Sequence, residues 1–166
     1  MKANYLILDV DGTLTDGKIY MGPTGEAFKA FDIKDGCGIH DIFPAHGGQV
    51  IVITARSSEI VRRRCEELKI QHVYQGVRDK AQKMRELAEL FSLERNEAGE
   101  YKNVAYMGDD IIDLSIMCLC EYRGAPRNAV AAVLREANFI STRNGGDGAV
   151  REFIEFLCAD DEVSEK

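Results

Sequence analysis

The chain has few histidines, and its cysteines follow no metal spacing. Three histidines are scattered through 166 residues. The pair in "CLC" at 118–120 is separated by a single residue, which is not a zinc-site spacing. There is no long basic run, and the net charge is −7. This argues against a nucleic-acid partner, which would usually need a basic face. Long apolar runs are also missing. The opening "MKANYLILDVDG" is too short for a signal peptide or a membrane span, and charge interrupts it. The five cysteines (Cys37, Cys65, Cys118, Cys120 and Cys158) are an odd number and mostly sit in apolar surroundings. They read as reduced core thiols of a cytoplasmic protein with no membrane partner. No internal repeat, linker or low-complexity segment occurs. What is present is ordinary for a globular chain: 45% hydrophobic and 30% charged residues, enough for one domain with a proper core. That domain is expected over 1–158, followed by a polar tail at 159–166.

Apolar runs predict strands at 4–9, 48–54, 72–75, 103–108 and 138–142, with a weaker one at 121–125. Helical spacing predicts helices at 58–69 and 79–91, and shorter ones at 110–118, 127–136 and 148–158. The segment 94–101 reads as an exposed loop. Strands alternating with helices imply parallel βαβ units in a three-layer α/β fold. "YLIL" and "VIVI" are apolar at every position, which suits strands covered on both faces. "KIYMGPTGEAFKAFDI" (18–33) departs from this pattern. Two extended runs flank "GPTG", so a β-hairpin is expected where a plain α/β unit would have a short loop.

The first strand ends in "YLILDVDGTLTDG", with two carboxylates two residues apart. In an open parallel sheet, ligands bind beyond the carboxyl ends of the strands. Asp9, Thr54, Lys80 and the pair Asp109–Asp110 all fall at that edge. Taken singly, each has a plain explanation as a cap, a turn or a solvated helix residue. A calcium loop is excluded, because Thr13, Leu14 and Tyr20 occupy positions that need an acid or amide, a glycine and a glutamate. Convergence favours a site. Residues two apart on an extended segment point the same way, so Asp9 and Asp11 can face one volume with Asp109. Two like charges about 4 Å apart repel by ~4 kcal/mol at an effective dielectric of about 20. An all-oxygen cluster of this kind favours Mg²⁺. A phosphate held by metal, Lys80 and Thr54 is the natural guest.

"DVDGTLTDG", "VITARS", "DK" and "GDDIID" resemble the four motifs of the haloacid dehalogenase superfamily. The resemblance implies a Rossmann-like parallel sheet of that type and an Mg²⁺-dependent phosphoryl transfer. Asp9 would be the nucleophile and Asp11 the general acid and base. Thr54 and Lys80 would hold the phosphoryl oxygens. Asp9, the backbone carbonyl of Asp11, and Asp109 would bind Mg²⁺, with Asp110 and Asp113 as weaker or outer ligands. A narrower resemblance spans nearly the whole chain: "DGKIYMGPTGEAFKAFDIKDGCGI", "TARSSEIVRRRCEEL", "VYQGVRDK", "NVAYMGDDIIDLSIM" and "NGGDGAVREF". It points to the small branch without a cap domain, which includes phosphatases of 3-deoxy-D-manno-octulosonate 8-phosphate and of nine-carbon sugar acid phosphates. In that branch the hairpin builds a homotetramer, and a neighbouring subunit completes each active site.

Of the three arginines in "RRR", Arg62 and Arg63 point away from the apolar face of their helix. Arg64 lies at its border and needs an anionic partner. The resemblance makes Arg56 and Arg64 substrate contacts, together with a loop formed by Asp32, Ile33, Lys34, Asp35 and Gly36. His40 stands where the octulosonate phosphatases typically carry arginine, so it departs from the pattern while still able to donate to an anion. The expected substrate is a phosphorylated sugar acid. The eight-carbon acid leads, a nine-carbon ketodeoxy acid 9-phosphate is the alternative, and a non-catalytic oligomerisation domain is the reading from a different class.

Overall fold

The computed structural model describes residues 1–159, so the tail expected at 159–166 lies, beyond Ala159, outside the described residues. Six strands form one parallel sheet: β1 (Tyr5–Leu8), β4 (Gln49–Ile53), β5 (His72–Tyr74), β6 (Tyr101–Met107), β7 (Cys120–Ala125) and β8 (Phe139–Ile140). Their spatial order is β5-β4-β1-β6-β7-β8. Strand β1 lies at the centre, with Leu8 opposite Val52 on one side and Met107 on the other. The chain first builds outward through β4 and β5, then crosses to the other side of β1. The point of reversal is a natural ligand crevice.

The strands are apolar throughout because both faces are covered. Leu6 and Leu8 pack with Phe43, Val61 and Phe153 on one side. Ile7 packs with Met84, Leu87 and Ile116 on the other. The first layer holds α1 (Ile33–Cys37), α2 (Phe43–Ala45), α3 (Glu59–Glu67) and α7 (Ala149–Cys158). The second holds α4 (Lys80–Leu90), α5 (Leu114–Met117) and α6 (Ala131–Glu136). The expected three-layer fold is present, and so is the sixth strand. The helix expected at 110–118 divides into a 3₁₀ turn (Ile111–Asp113) and α5.

The run from 33 to 45 differs from expectation. It is helical, with a π-turn at Gly38–Ile42 joining α1 to α2. Asp32 caps α1, accepting from the Lys34 amide at 2.6 Å, so residues 32–36 are a capped helix start and not a loop. Gly36, Gly38 and Pro44 fall inside this helical run, although glycine and proline are poor helix formers. Packing offsets that cost: a Cβ on Gly36 would lie 2.5 Å from Arg64 Nη2, so the glycine leaves room for the Arg64 guanidinium. The cysteines also differ in part. All five are free, but Cys37 and Cys118 are exposed and only Cys65, Cys120 and Cys158 are buried. Among the described residues no helix is long and apolar enough to cross a membrane.

The hairpin forms as expected. Strands β2 (Tyr20–Gly22) and β3 (Gly25–Phe28) pair antiparallel as a separate two-stranded sheet. Tyr20 stacks on Phe28 with ring centroids 4.3 Å apart. Phe31, near the end of the hairpin segment, packs against the chain's own core.

Candidate active site

The carboxyl end of β1 turns sharply. The amides of Thr13, Leu14 and Thr15 all donate to the Val10 carbonyl. Gly12 sits at φ +94, and a Cβ there would fall 2.0 Å from Asp109 Oδ2. Only glycine allows this turn to close against the acid from β6. Behind the turn lies the segment before α7, where the Gly146 amide donates to the Thr13 carbonyl at 3.1 Å. The "GGDG" stretch thus packs on its own chain's β1 turn.

A cavity of about 250 Å³ opens over this turn, lined by Asp9, Asp11, Thr54, Arg56, Asp109 and Asp110. Ile19 of the hairpin segment and Ile112 give it an apolar rim. The edge convergence read from the sequence is therefore present. Asp9 and Thr54 are buried. Lys80, the first residue of α4, is buried as well. Its ammonium donates to Asp9 Oδ1 at 2.6 Å, to Asp113 Oδ1 at 2.6 Å and to the Tyr106 hydroxyl at 3.1 Å. Burial alone would lower the Lys80 pKa, but Asp9 and Asp113 outweigh it and the net shift is upward.

Asp113 binds the set together. Its Oδ1 also accepts from Tyr106 at 2.5 Å. Its Oδ2 accepts from the amides of Asp109 at 2.9 Å and Asp110 at 3.1 Å. Asp110 itself is exposed and accepts from the Ile111 amide at 2.7 Å. Ligand atoms of Asp9, Asp109 and Asp113 lie within 4.8 Å of one another. Burial, with help from Asp113 and against the pull of Lys80, pushes the Asp9 carboxyl up to about 7. Burial and the Asp9 charge do the same to Asp109. Asp109 Oδ1 is buried with no hydrogen-bond partner. An orphaned carboxylate oxygen among acids resistant to ionising is a site made for a hard divalent cation.

Sequence reasoning missed a second cluster. Lys29, just after β3, is buried. Its ammonium donates to Asp11 Oδ1 and pairs with Glu26 Oε1 at 2.9 Å. Arg56 stands between the same two acids, with Nε 3.9 Å from Asp11 and Nη2 3.6 Å from Glu26. No motif marks a lysine in "EAFKAF"; only the folded hairpin brings it to the acids. Tyr106 did carry a signal, because a tyrosine inside a strand buried on both faces must find a partner for its hydroxyl.

The remaining expected contacts lie elsewhere in the chain. Asp35 is buried and its Oδ1 accepts from the Arg151 amide at 2.8 Å, capping α7. Asp32, Asp35, Gly36 and Arg64 border a small separate cleft. Arg64 meets Glu67 at 2.9 Å, and its guanidinium lies 5.7 Å from the Phe31 ring centre. Ile33 and His40 border a further cleft beside Arg64, and His40 pairs with Asp41 at 2.6 Å. Lys34 approaches Asp32 at 3.6 Å and lies near Gly148. Arg62 and Arg63 point outward, as expected, and both pair with Glu59.

No protein-family model matches the chain. Individual relatives do. The 3-deoxy-D-manno-octulosonate 8-phosphate phosphatase KdsC of Escherichia coli strain K12 is 40% identical over 152 residues, covering 92% of this chain and 77% of the relative. Among solved structures, the corresponding phosphatase of Moraxella catarrhalis, in complex with magnesium, phosphate and the KDO molecule, superposes with a TM-score of 0.85. It is 34% identical and covers 93% of this chain and 85% of that one. The cobalt-bound phosphatase of Haemophilus influenzae gives a TM-score of 0.85 at 32% identity, over 94% of this chain and 87% of that one.

Proposed function

The chain belongs to the 3-deoxy-D-manno-octulosonate 8-phosphate phosphatase family of the haloacid dehalogenase superfamily, and from that premise we propose that it is a magnesium-dependent phosphomonoesterase of that sugar acid phosphate. The observation that carries the reading is the meeting of Asp9, Lys80, Asp109 and Asp113 behind the cavity that Asp11 and Arg56 also line. Asp9 attacks phosphorus and forms an aspartyl-phosphate as the sugar oxygen leaves. Asp11, held by Lys29, gives its proton to that oxygen. It then takes one from the water that attacks the phosphorus and returns Asp9. Asp9, the backbone carbonyl of Asp11 and Asp109 would hold Mg²⁺, which supplies positive charge to the phosphoryl group. Thr54 donates its hydroxyl to a phosphoryl oxygen, while the buried Lys80 charge steadies Asp9 and the phosphoryl group beside it. Arg56 reads the substrate carboxylate, since a guanidinium fork matches its geometry.

We assign residues 32–36, His40 and Arg64 to substrate binding through assembly. Within one chain they border clefts other than the acid cavity, so they would act on the site of a neighbouring subunit. A homotetramer built on the hairpin supplies one. Ile19, Met21 and Phe28 are 53%, 69% and 54% exposed, and a bare two-stranded hairpin is marginal in water. The five free thiols support a cytoplasmic setting. His40 in place of arginine favours a nine-carbon ketodeoxy acid 9-phosphate as the second reading. The test is Asp9→Asn: it keeps the fold and abolishes turnover, because an amide does not attack phosphorus. A kcat near the wild-type value would rule out the covalent route.

A further inference from the structure

Arg56 is the side chain on which substrate selection rests, yet that side chain is 45% exposed. A long exposed arginine loses rotamer freedom when a ligand fixes it, and that cost weakens binding unless something orders it beforehand. One hairpin residue is placed to do so. Glu26 comes from β3, accepts from Ser58 Oγ at 2.6 Å and pairs with Lys29 at 2.9 Å. Ser58 is itself fixed, its amide donating to Gln75 Oε1 at 2.7 Å. Glu26 is thus a negative charge tied to two elements, and Arg56 Nη2 lies 3.6 Å from it. Asp11 approaches the same guanidinium at 3.9 Å. Glu26 is itself compensated by Lys29, so the clamp holds Arg56 beside the cavity through a paired acid.

We propose that Glu26 is a positioning residue that sets the guanidinium of Arg56 for the substrate's second anionic group, making the hairpin part of its own subunit's specificity apparatus. This rests on the reading of Arg56 given above. The experiment is a double-mutant cycle on the magnesium-loaded enzyme with Glu26→Gln, Arg56→Ala and the pair, measuring kcat/KM on the sugar acid phosphate and on a neutral aryl phosphate. The amide is isosteric and still accepts from Ser58, and thermal melting checks that each variant is folded. Glu26→Gln is expected to lower the ratio of the two kcat/KM values roughly 3- to 10-fold, mostly through KM for the sugar acid. That loss vanishes in the Arg56→Ala background, since Glu26 acts through Arg56. Ser58→Ala, which loosens Glu26 without touching its charge, gives a smaller loss of the same sign. An unchanged ratio, a gain for the sugar acid, or a loss that persists without Arg56 overturns the proposal while Arg56 keeps its role. Equal losses on both substrates from Arg56→Ala alone would remove the role of Arg56, and the proposal with it.

Discussion

Asp113→Asn tests the scaffold beneath the chemistry. The carboxylate accepts four hydrogen bonds: Lys80 and Tyr106 on one oxygen, the amides of Asp109 and Asp110 on the other. An amide has one accepting end. Whichever way the asparagine turns, its NH₂ meets two donors. Each buried group left unsatisfied costs ~1–3 kcal/mol, which gives about 2–6 kcal/mol for the pair. Breaking a buried ion pair on one side alone costs about 3–5 kcal/mol, so the two routes agree on roughly 4. With a urea slope of about 2 kcal/mol per molar, the midpoint should fall by about 2 M. Because Asp109 and Lys80 lose their common anchor, kcat should also fall about 100-fold. Urea denaturation at fixed protein concentration and steady-state turnover with saturating magnesium measure the two effects. A midpoint shift under about 0.5 M with kcat intact would show that Asp113 does not hold the site.

Arg56→Ala should cost about 1.5–3 kcal/mol in kcat/KM for the sugar acid phosphate, roughly 10- to 150-fold, and far less for a neutral aryl phosphate; equal losses would contradict its role. Gly12→Ala should abolish turnover and weaken magnesium binding, seen by calorimetry, because the new Cβ collides with Asp109 at an unfavourable positive φ; unchanged affinity would refute the close-approach argument. Burial pushes the Asp35 carboxyl from 3.8 up to about 6, against the hydrogen bonds from Arg151 and Gly148. The folded state then holds this proton more tightly than the unfolded chain, so the contribution is full below pH 3.8 and is lost as pH rises towards 6. Asp35→Asn should gain ~2–3 kcal/mol on wild type between about pH 4 and pH 7.5 in denaturation series, and parallel pH profiles would contradict this. Charging the hairpin with Met21→Lys and Phe28→Lys should dissociate the assembly in light scattering; a wild-type monomer that is fully active would end the tetramer reading.

Much of the site could be read from the chain because parallel-sheet topology turns sequence order into place. "YLILD" and "VIVIT" end in Asp9 and Thr54, and "NVAYMG" leads directly into Asp109, so their chemistry could be put on one edge without coordinates. Apolarity at every position of β1 announced two covered faces, and both are present. The region from 33 to 45 was illegible for a physical reason. Its glycines serve packing against Arg64 and α7, and local propensity cannot distinguish that from a break. Lys29 and Glu26 were equally hidden, since their partners Asp11 and Ser58 lie 18 and 32 residues away in the chain. Arg64 shows the limit of helical-wheel reasoning. Its border position correctly demanded a partner, but Glu67 on its own helix and the Phe31 ring provide one within the chain.

Hydrolysis of 3-deoxy-D-manno-octulosonate 8-phosphate is the activity on which the roles of Asp9, Asp11 and Arg56 depend. The most direct measurement is phosphate release by the wild-type protein with magnesium, comparing kcat/KM across that compound, a nine-carbon ketodeoxy acid 9-phosphate, neutral hexose 6-phosphates and nucleoside monophosphates. The eight-carbon acid should give the highest value, and release should be lost when the metal is chelated. Preference for neutral hexose phosphates, or no release from any phosphorylated sugar acid, would contradict that activity.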